Sequence, residues 1–538
     1  MLGDRVAVEF DERKIDAIFA EVNQCHLPGV AVGIAIGGRP VYRKGFGLAN
    51  MELPVLLSPS IRMRINSMTK HFACLAYMLL CEEGKAGIDD ALGKYFPELH
   101  PVTRKVTVRQ LMGNVGGLRD SHDLTWLFSG HTQPVSVADL LSFYRDVDDV
   151  NFAPGTSWSY NNGGFLLLTV AIERITGQAL EDILRERIFE PAGMYDTLLR
   201  RLNTDFVSNS ATMHMVGPSG AYNRSYIGLE MSGEGGMVST VDDMLRWLAH
   251  MDAPWVGGAA TWSVMTTPQT LANGTSTSYG LGLIMDRYRG IETLHHGGGS
   301  PGANSQMLKV AAAGLDIAIM VNRHDVSASL LADKILDTCL PGLEPVKTVT
   351  NRSLPTGLFR SPATGRVIQF GIADVRTSWI KKVGQPIASI DGTDTPLEPD
   401  DDGVFRASGC LSYMKLGVTL MGKRGHPTSI RFSDYGNLDD LVLVPPVETP
   451  DTGAIAGRYR SELTGTQLTI LEGEGGATMS SVGRFGSAQF TLECLAQGTW
   501  RATNPATAYG IILLFDGNNA GLRVSSVRTR MLPFRRDV

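Results

Sequence analysis

The chain has 538 residues, 43% hydrophobic and 19% charged, with a net charge of -6. That length exceeds one domain and points to roughly three, each with an ordinary apolar core. A slightly acidic balance without a basic block excludes nucleic acid or an anionic membrane as the main partner.

Residues 1–14 carry Asp4, Glu9, Asp11 and Glu12 and lack the apolar core of a secretory signal, and no transmembrane run follows. Cys25, Cys74, Cys81, Cys339, Cys410 and Cys494 are scattered, without a Cys-x-x-Cys pair or a His cluster at zinc spacing. The expectation is a protein of the reducing cytoplasm, with no metal and no cofactor.

In chain order, Ile15, Ile18, Phe19 and Val22 share one helical face and predict a helix over 15–22. Residues 30–36, VAVGIAI, read as a buried strand, which Gly37-Gly38-Arg39-Pro40 turns into a second over 41–47. Met68, Phe72, Leu75 and Leu79 then predict a buried helix over 68–81, ended by Gly84. Asn66 and Ser67 are N-cap types, which places Ser67 at a helix start where unsatisfied N–H groups favour negative charge. Lys70 lies about one turn on, so its amine can sit beside the Ser67 hydroxyl and ease its deprotonation. Ser-x-x-Lys recurs at Ser378 to Lys381 and Ser412 to Lys415, both expected on strands, where this offset sends the side chains to opposite faces.

A short helix is expected over 107–112, stopping at Gly116-Gly117-Leu118. Residues 151–160 read as a loop ending in Tyr160-Asn161-Asn162-Gly163-Gly164, ahead of an apolar helix over 165–175 closed by Gly177. Residues 186–194 resemble a helix end and turn, and a glycine-rich approach from Gly233 leads to a capped helix over 241–251. Strands over 279–285 and 292–295 precede His296-Gly297-Gly298-Gly299-Ser300-Pro301-Gly302; strands over 306–310 and 315–321 and a helix over 328–339 close this part.

Composition shifts near Pro341, and 341–355 reads as a linker. Beyond it, residues 356–365 and 456–465 match at an offset of 100, with five of ten pairs identical. Phe405-Arg406-Ala407 echoes Trp500-Arg501-Ala502, and Ile430 to Ser433 echoes Leu522 to Ser525, in the same order. Two copies of one β module, each a small antiparallel barrel, explain this.

Ser67-x-x-Lys70, Tyr160-x-Asn162 and His296-x-Gly298 stand in order, with supporting stretches at Asn114 to Leu118, Pro191 to Met194 and Gly235 to Thr240. On these residues, positions 10 to 340 resemble the penicillin-recognising serine hydrolases, which include class C β-lactamases, DD-peptidases and related esterases. With two appended barrels, the chain most resembles the D-aminopeptidase branch. The resemblance implies an α+β fold with a β-lactamase/transpeptidase-like catalytic domain, an antiparallel sheet flanked by helices, over 1–340. Antiparallel β-barrel domains are expected over 356–445 and 452–538.

The resemblance also implies roles. Ser67 attacks an acyl carbonyl; Tyr160, its pKa lowered by Lys70, acts as general base and then protonates the leaving amine. Asn162 orients substrate or Lys70, and the N–H groups of Ser67 and Gly299 form the oxyanion hole. Gly297 to Gly299, with Gly298 at their centre, let a strand edge approach the ligand closely, and His296 replaces the lysine with which the family pairs a substrate carboxylate. Tyr435-x-Asn437 shows that the second motif recurs by chance. Gly298 to Gly302 also fits a Gly-x-Ser-x-Gly elbow, but Pro301 has no N–H to donate, so Ser300 reads as a turn residue.

A neutral His296 disfavours classical β-lactamase and carboxypeptidase activity. The expected activity is a serine hydrolase of small amides and peptides, a D-aminopeptidase or D-amino-acid amidase. The alternatives are a carboxylesterase of the same fold and a catalytically silent binding protein. The partners expected are small peptide, amide or ester substrates, with a homodimer left open. By resemblance, a loop of the last barrel reaches the site; it is placed over 473–487 with Arg484 at its tip.

Overall fold

The computed structural model describes residues 6–217, 219–345, 355–374, 384–400, 402–423, 426–473, 476–504 and 510–537. Its centre is an antiparallel sheet in the order 284–288, 291–300, 303–310, 315–321, 30–36, 39–46. Val30–Ile36 is buried on both faces, which explains its unbroken apolar run. Val30, Val32 and Ile34 pack with Ile15, Phe19, Leu331 and Ile335 of the two terminal helices. The other face carries Ala31, Gly33 and Ala35, because the helix Val241–His250 lies close: a Cβ at Gly33 would fall 2.4 Å from Val241 Cγ1.

The helix Ala328–Cys339 and the strand Leu315–Val321 occupy the expected positions. The first helix instead runs over Glu12–Ile18, because the Asp11 carboxylate caps the Arg13 N–H, and Ala20–Val22 forms a separate 3-10 turn. The strand expected over 279–285 is displaced to Ile284–Tyr288, since Gly282 takes a positive φ of 69° and turns the preceding segment. The next strand, Ile291–Ser300, continues through the glycines. Among the described helices of seven or more residues, three escape the apolar pattern, Ser121–Ser129, Val137–Asp146 and Ala259–Met265; polar N-caps, Asp120 and Ser136, start the first two.

Behind this domain stand two closed antiparallel barrels of eight strands each. The repeat falls on the first, fifth and seventh strands of each: Leu358–Arg360 with Gly457–Ser461, Phe405–Ala407 with Thr499–Thr503, and His426–Asp434 with Gly521–Ser525. The linker expected over 341–355 lies largely outside the described residues, as does Ser378 to Lys381. Ser412 to Lys415 is not a strand: Gly409–Met414 is a 3-10 helix, and Lys415, at φ 48°, donates to Ser276 O at 2.8 Å. Tyr435 and Gly436 have φ of 51° and 77° and form the turn of a barrel hairpin, which disposes of the second Tyr-x-Asn. None of the described helices is long and apolar enough to cross a membrane.

Both barrels dock on the catalytic domain. The first packs Tyr413 and Tyr435 against Trp158, in a cluster that includes Tyr160 and Tyr279. The second braces the helix Ser121–Ser129 through its hairpin, with Ser481 Oγ donating to Phe128 O at 2.8 Å.

Candidate active site

Ser67 lies in a 3-10 turn, Asn66–Met68, leading into the helix Thr69–Glu82. The expectation that Asn66 or Ser67 caps this helix does not hold, because no side chain caps it. Asn66 instead adopts φ 49°, a left-handed kink that asparagine tolerates, and Thr69 Oγ1 pins the turn by donating to Asn66 O at 2.6 Å. Ser305 Oγ ties the preceding residue down, donating to Ile65 O at 2.8 Å.

Lys70 is fully buried, and its Nζ donates to Ser67 Oγ at 3.1 Å, Asn162 Oδ1 at 2.8 Å and Glu234 O at 2.6 Å. Burial pulls its pKa down to about 7, Glu234 opposing and Arg528 assisting. A large share of neutral amine is therefore present at neutral pH, in hydrogen-bond contact with the hydroxyl.

Asn162 opens the helix Asn162–Thr176, three residues before the apolar pattern begins, and Asn161 rather than Asn162 supplies the cap, its side chain accepting from Gly164 N at 2.9 Å. Asp120 holds this helix start, accepting from Asn162 N and Gly163 N at 3.0 Å each. Tyr160 precedes it, with Lys70 Nζ 4.7 Å and Arg528 Cζ 4.9 Å from its ring centre. Its buried hydroxyl makes no hydrogen bond of good geometry among the described residues, although Ser67 is close enough to act on it. Contrary to expectation its pKa is raised: burial outweighs the opposing pull of Ser67 and Arg528. Tyr160 is therefore a neutral phenol at ordinary pH, and the group titrating near neutrality beside Ser67 is Lys70.

His296 is 2% exposed. Its Nδ1 lies 2.6 Å from Gly297 O and its Nε2 3.1 Å from Tyr279 Oη. A carbonyl only accepts, so Nδ1 carries the proton and Nε2 accepts from Tyr279. Burial, aided by Lys70, lowers its pKa to about 3, which leaves no cation at this position. Beyond His295 the strand loses its partner on one side, and residues 296–300 pair only with 303–307. A Cβ at Gly298 would fall 2.1 Å from Ile65 O, so only glycine lets the strand close on the serine turn, whereas a Cβ at Gly299 would meet nothing within 4 Å.

Ser67, Tyr160, Asn162, His296, Gly298 and Gly299 line one cavity of about 670 Å³, with Lys70 buried behind Ser67. The expected loop is a different one. Arg484 binds Ser142 Oγ at 3.1 Å and Asp146 at 2.7 Å, away from the cavity, whereas Val527, Arg528 and Arg530 line it. That loop is stapled to the catalytic domain: Asn151 Nδ2 donates to Arg528 O at 2.7 Å and Arg119 to Arg530 O at 2.6 Å. Ser300 ends a strand beside the Pro301-Gly302 turn, its hydroxyl directed to Met213 Sδ at 3.8 Å.

Sequence reasoning missed Asp120, Asp123, Glu234 and Arg528. Glu234 is buried against His122, its Oε1 3.5 Å from Nε2, and its carboxylate accepts from Ser232 N and Oγ at 2.6 Å each. It thereby fixes the loop whose carbonyl holds Lys70. The Gly233-Glu234-Gly235 sequence carried a signal, an acid between glycines; the others carried none.

Residues 15–340 match the Beta-lactamase family, and the chain belongs to it. Among curated relatives, the D-aminopeptidase of Brucella ovis is 32% identical over 466 residues, 83% of this chain and 86% of that one. The octameric penicillin-binding protein homologue of Pyrococcus abyssi shares the fold over 98% of this chain and 100% of its own, with a TM-score of 0.56 at 17% identity. The D-amino acid amidase of Ochrobactrum anthropi SV3, solved with L-phenylalanine amide, covers 61% of this chain and 97% of its own, with a TM-score of 0.53 at 23% identity.

Proposed function

We propose that this chain is a serine hydrolase that removes N-terminal D-residues from small peptides and amides through an acyl-enzyme on Ser67. The observation that carries the reading is Lys70 Nζ, near its own pKa at neutral pH, 3.1 Å from Ser67 Oγ. The D-aminopeptidase relative, matched over 83% of this chain, supports the substrate class.

Neutral Lys70 takes the Ser67 proton as Oγ attacks the carbonyl carbon. The N–H groups of Ser67 and Gly299 receive the oxyanion, a contribution commonly worth about 3 kcal/mol. Collapse breaks the C–N bond, the leaving amine taking a proton from the Tyr160 hydroxyl, which the Lys70 ammonium then replenishes. Water repeats the sequence in reverse and frees Ser67. Asn162 keeps Lys70 aimed at Ser67. Neutral His296 offers no counter-ion to a substrate carboxylate, which favours amides and aminopeptidase substrates over penicillins. Free Cys25, Cys74, Cys81, Cys339 and Cys494 support a reducing compartment.

Rates on D- and L-alanine p-nitroanilide beside p-nitrophenyl acetate test the proposal. Cleavage of the D-anilide well above the L-anilide is expected; brisk ester cleavage with neither anilide touched would make the protein a carboxylesterase.

A further inference from the structure

The cavity that holds Ser67 does not end at the catalytic domain. Its wall runs from Tyr160 to Arg528 and Arg530 of the second barrel, and then to Arg366, Asp391, Thr393 and Asp434 of the first. These last four mark the start of Val367–Ile372, the end of Pro386–Ile390, the start of Thr393–Pro399 and the end of His426–Asp434, which in an antiparallel barrel is a single rim. The first barrel therefore turns one of its ends toward the active site.

That rim holds an under-neutralised cation. Asp434 Oδ2 accepts from both Arg366 Nη1 at 3.1 Å and Arg530 Nη2 at 2.9 Å. Asp391 gives its Oδ2 to Arg366 Nε at 3.3 Å, while its Oδ1 accepts from Val367 N at 2.9 Å. Among the described residues Arg530 thus contacts one carboxylate oxygen and shares it with a second guanidinium, and its Nε and Nη1 make no hydrogen bond there. Burial holds its pKa below the ordinary arginine value, Asp434 opposing and Arg366 assisting. Thr393, 7% exposed on the same rim, adds a buried hydroxyl with no partner among the described residues.

The place of this rim relative to the chemistry identifies the ligand. The leaving amine takes its proton from Tyr160, and Arg528 Cζ lies 4.9 Å from the centre of that ring. Arg530 follows two residues along the same loop, about 7 Å of extended chain. A leaving group of one or two residues that departs past Tyr160 carries its C-terminal carboxylate toward Arg530. Neutral His296 supplies no cation for it on the strand side.

We propose that the rim of the first barrel, through Arg530 and Thr393, binds the C-terminal carboxylate of the peptide that leaves, so that the enzyme prefers short peptides with a free C-terminus to their amides. This deepens the aminopeptidase reading and rests on it. The rival role for Arg530 is purely mechanical, tying the second barrel to the first through Asp434.

The experiment pairs D-alanylglycine and D-alanylglycylglycine with their C-terminal amides and reads the ratio of kcat/KM, acid over amide. Wild type is expected to favour the acid of at least one pair by about tenfold or more, mostly through KM. Arg530→Gln is expected to bring that ratio close to one and Arg530→Lys to restore part of it. Thr393→Val, which leaves the ion pairs of the rim in place, is expected to lower it several-fold. A wild-type ratio near one overturns the proposal, and so does a ratio unchanged in Arg530→Gln, because a mechanical role moves acid and amide together. Should Arg530→Gln fail to fold, Thr393→Val decides by the same ratio. If wild type hydrolyses p-nitrophenyl acetate but none of the peptides, the aminopeptidase reading fails, and the carboxylate site is judged by glycylglycine and glycylglycinamide as inhibitors of ester hydrolysis. Stronger inhibition by the acid, weakened about tenfold in Arg530→Gln, upholds the site; equal inhibition by acid and amide, or none by either, overturns it.

Discussion

Lys70 Nζ sits 3.1 Å from Ser67 Oγ and, among the described residues, receives no counter-charge at contact distance, only the carbonyl of Glu234 and the amide oxygen of Asn162. Its depressed pKa follows from that environment and sets both the chemistry and part of the stability. The acid limb of kcat/KM is expected near pH 7, the activity rising as Lys70 loses its proton. Lys70→Arg, which cannot deprotonate, is expected to lose at least about 10³-fold in acylation despite keeping a cation.

The same shift has a stability consequence. The folded pKa of Lys70 lies near 7 and its unfolded value near about 10.4, so between these the unfolded chain binds more protons and wild-type stability rises with pH. Lys70→Met lacks this dependence. The Tm of the variant minus that of wild type should therefore grow as pH falls from about 10 to about 7; a difference constant with pH would contradict a neutral buried lysine.

Arg528 acts on Lys70 and Tyr160 from the second barrel. Its cation lowers the Lys70 pKa, so Arg528→Gln is expected to move the acid limb of kcat/KM to higher pH by several tenths of a unit. A fall in rate with an unmoved pH profile would mean that Arg528 only holds the loop in place.

Much of this site was legible in the sequence because motif spacing encodes it locally. Ser67 and Lys70 are three residues apart, on a 3-10 turn and the helix it leads into, and Tyr160 and Asn162 flank one helix start. The charge states were not legible: burial raised Tyr160 and lowered Lys70, and burial is a property of the closed cavity. Nor was the loop that closes it. Arg484 is the charged tip of an obvious hairpin, yet that hairpin braces the Ser121–Ser129 helix from outside, while the loop at Arg528 connects the last two barrel strands and reaches the cavity. The Asp123 helix itself was hidden by its mixed polarity.

The proton-donor role proposed for Tyr160 predicts a split between two kinds of substrate. An amine leaves only when protonated, whereas p-nitrophenolate leaves unaided at neutral pH. Tyr160→Phe is expected to cost about 10²- to 10⁴-fold on D-alanine p-nitroanilide and far less on p-nitrophenyl acetate. Parallel losses would assign Tyr160 to an earlier step.

Glu234 holds the Lys70 loop from below. Burial alone would raise its carboxyl, but His122 and the Ser232 donors hold it at about 2. Below its unfolded value of about 4.3 this stabilisation declines, and it is lost as pH falls through the folded value. Glu234→Gln should lower Tm by several degrees at pH 7, and the deficit should shrink on acidification from about pH 5 toward pH 2.

The nucleophile is tested most directly by trapping it. Brief incubation with an activated D-alanyl ester, acid quench and peptide mass analysis should show one D-alanyl group on the peptide containing Ser67, absent from Ser67→Ala. Hydrolysis of the same ester by Ser67→Ala at the wild-type rate, or an acyl group on any other residue, would contradict an acyl-enzyme on Ser67.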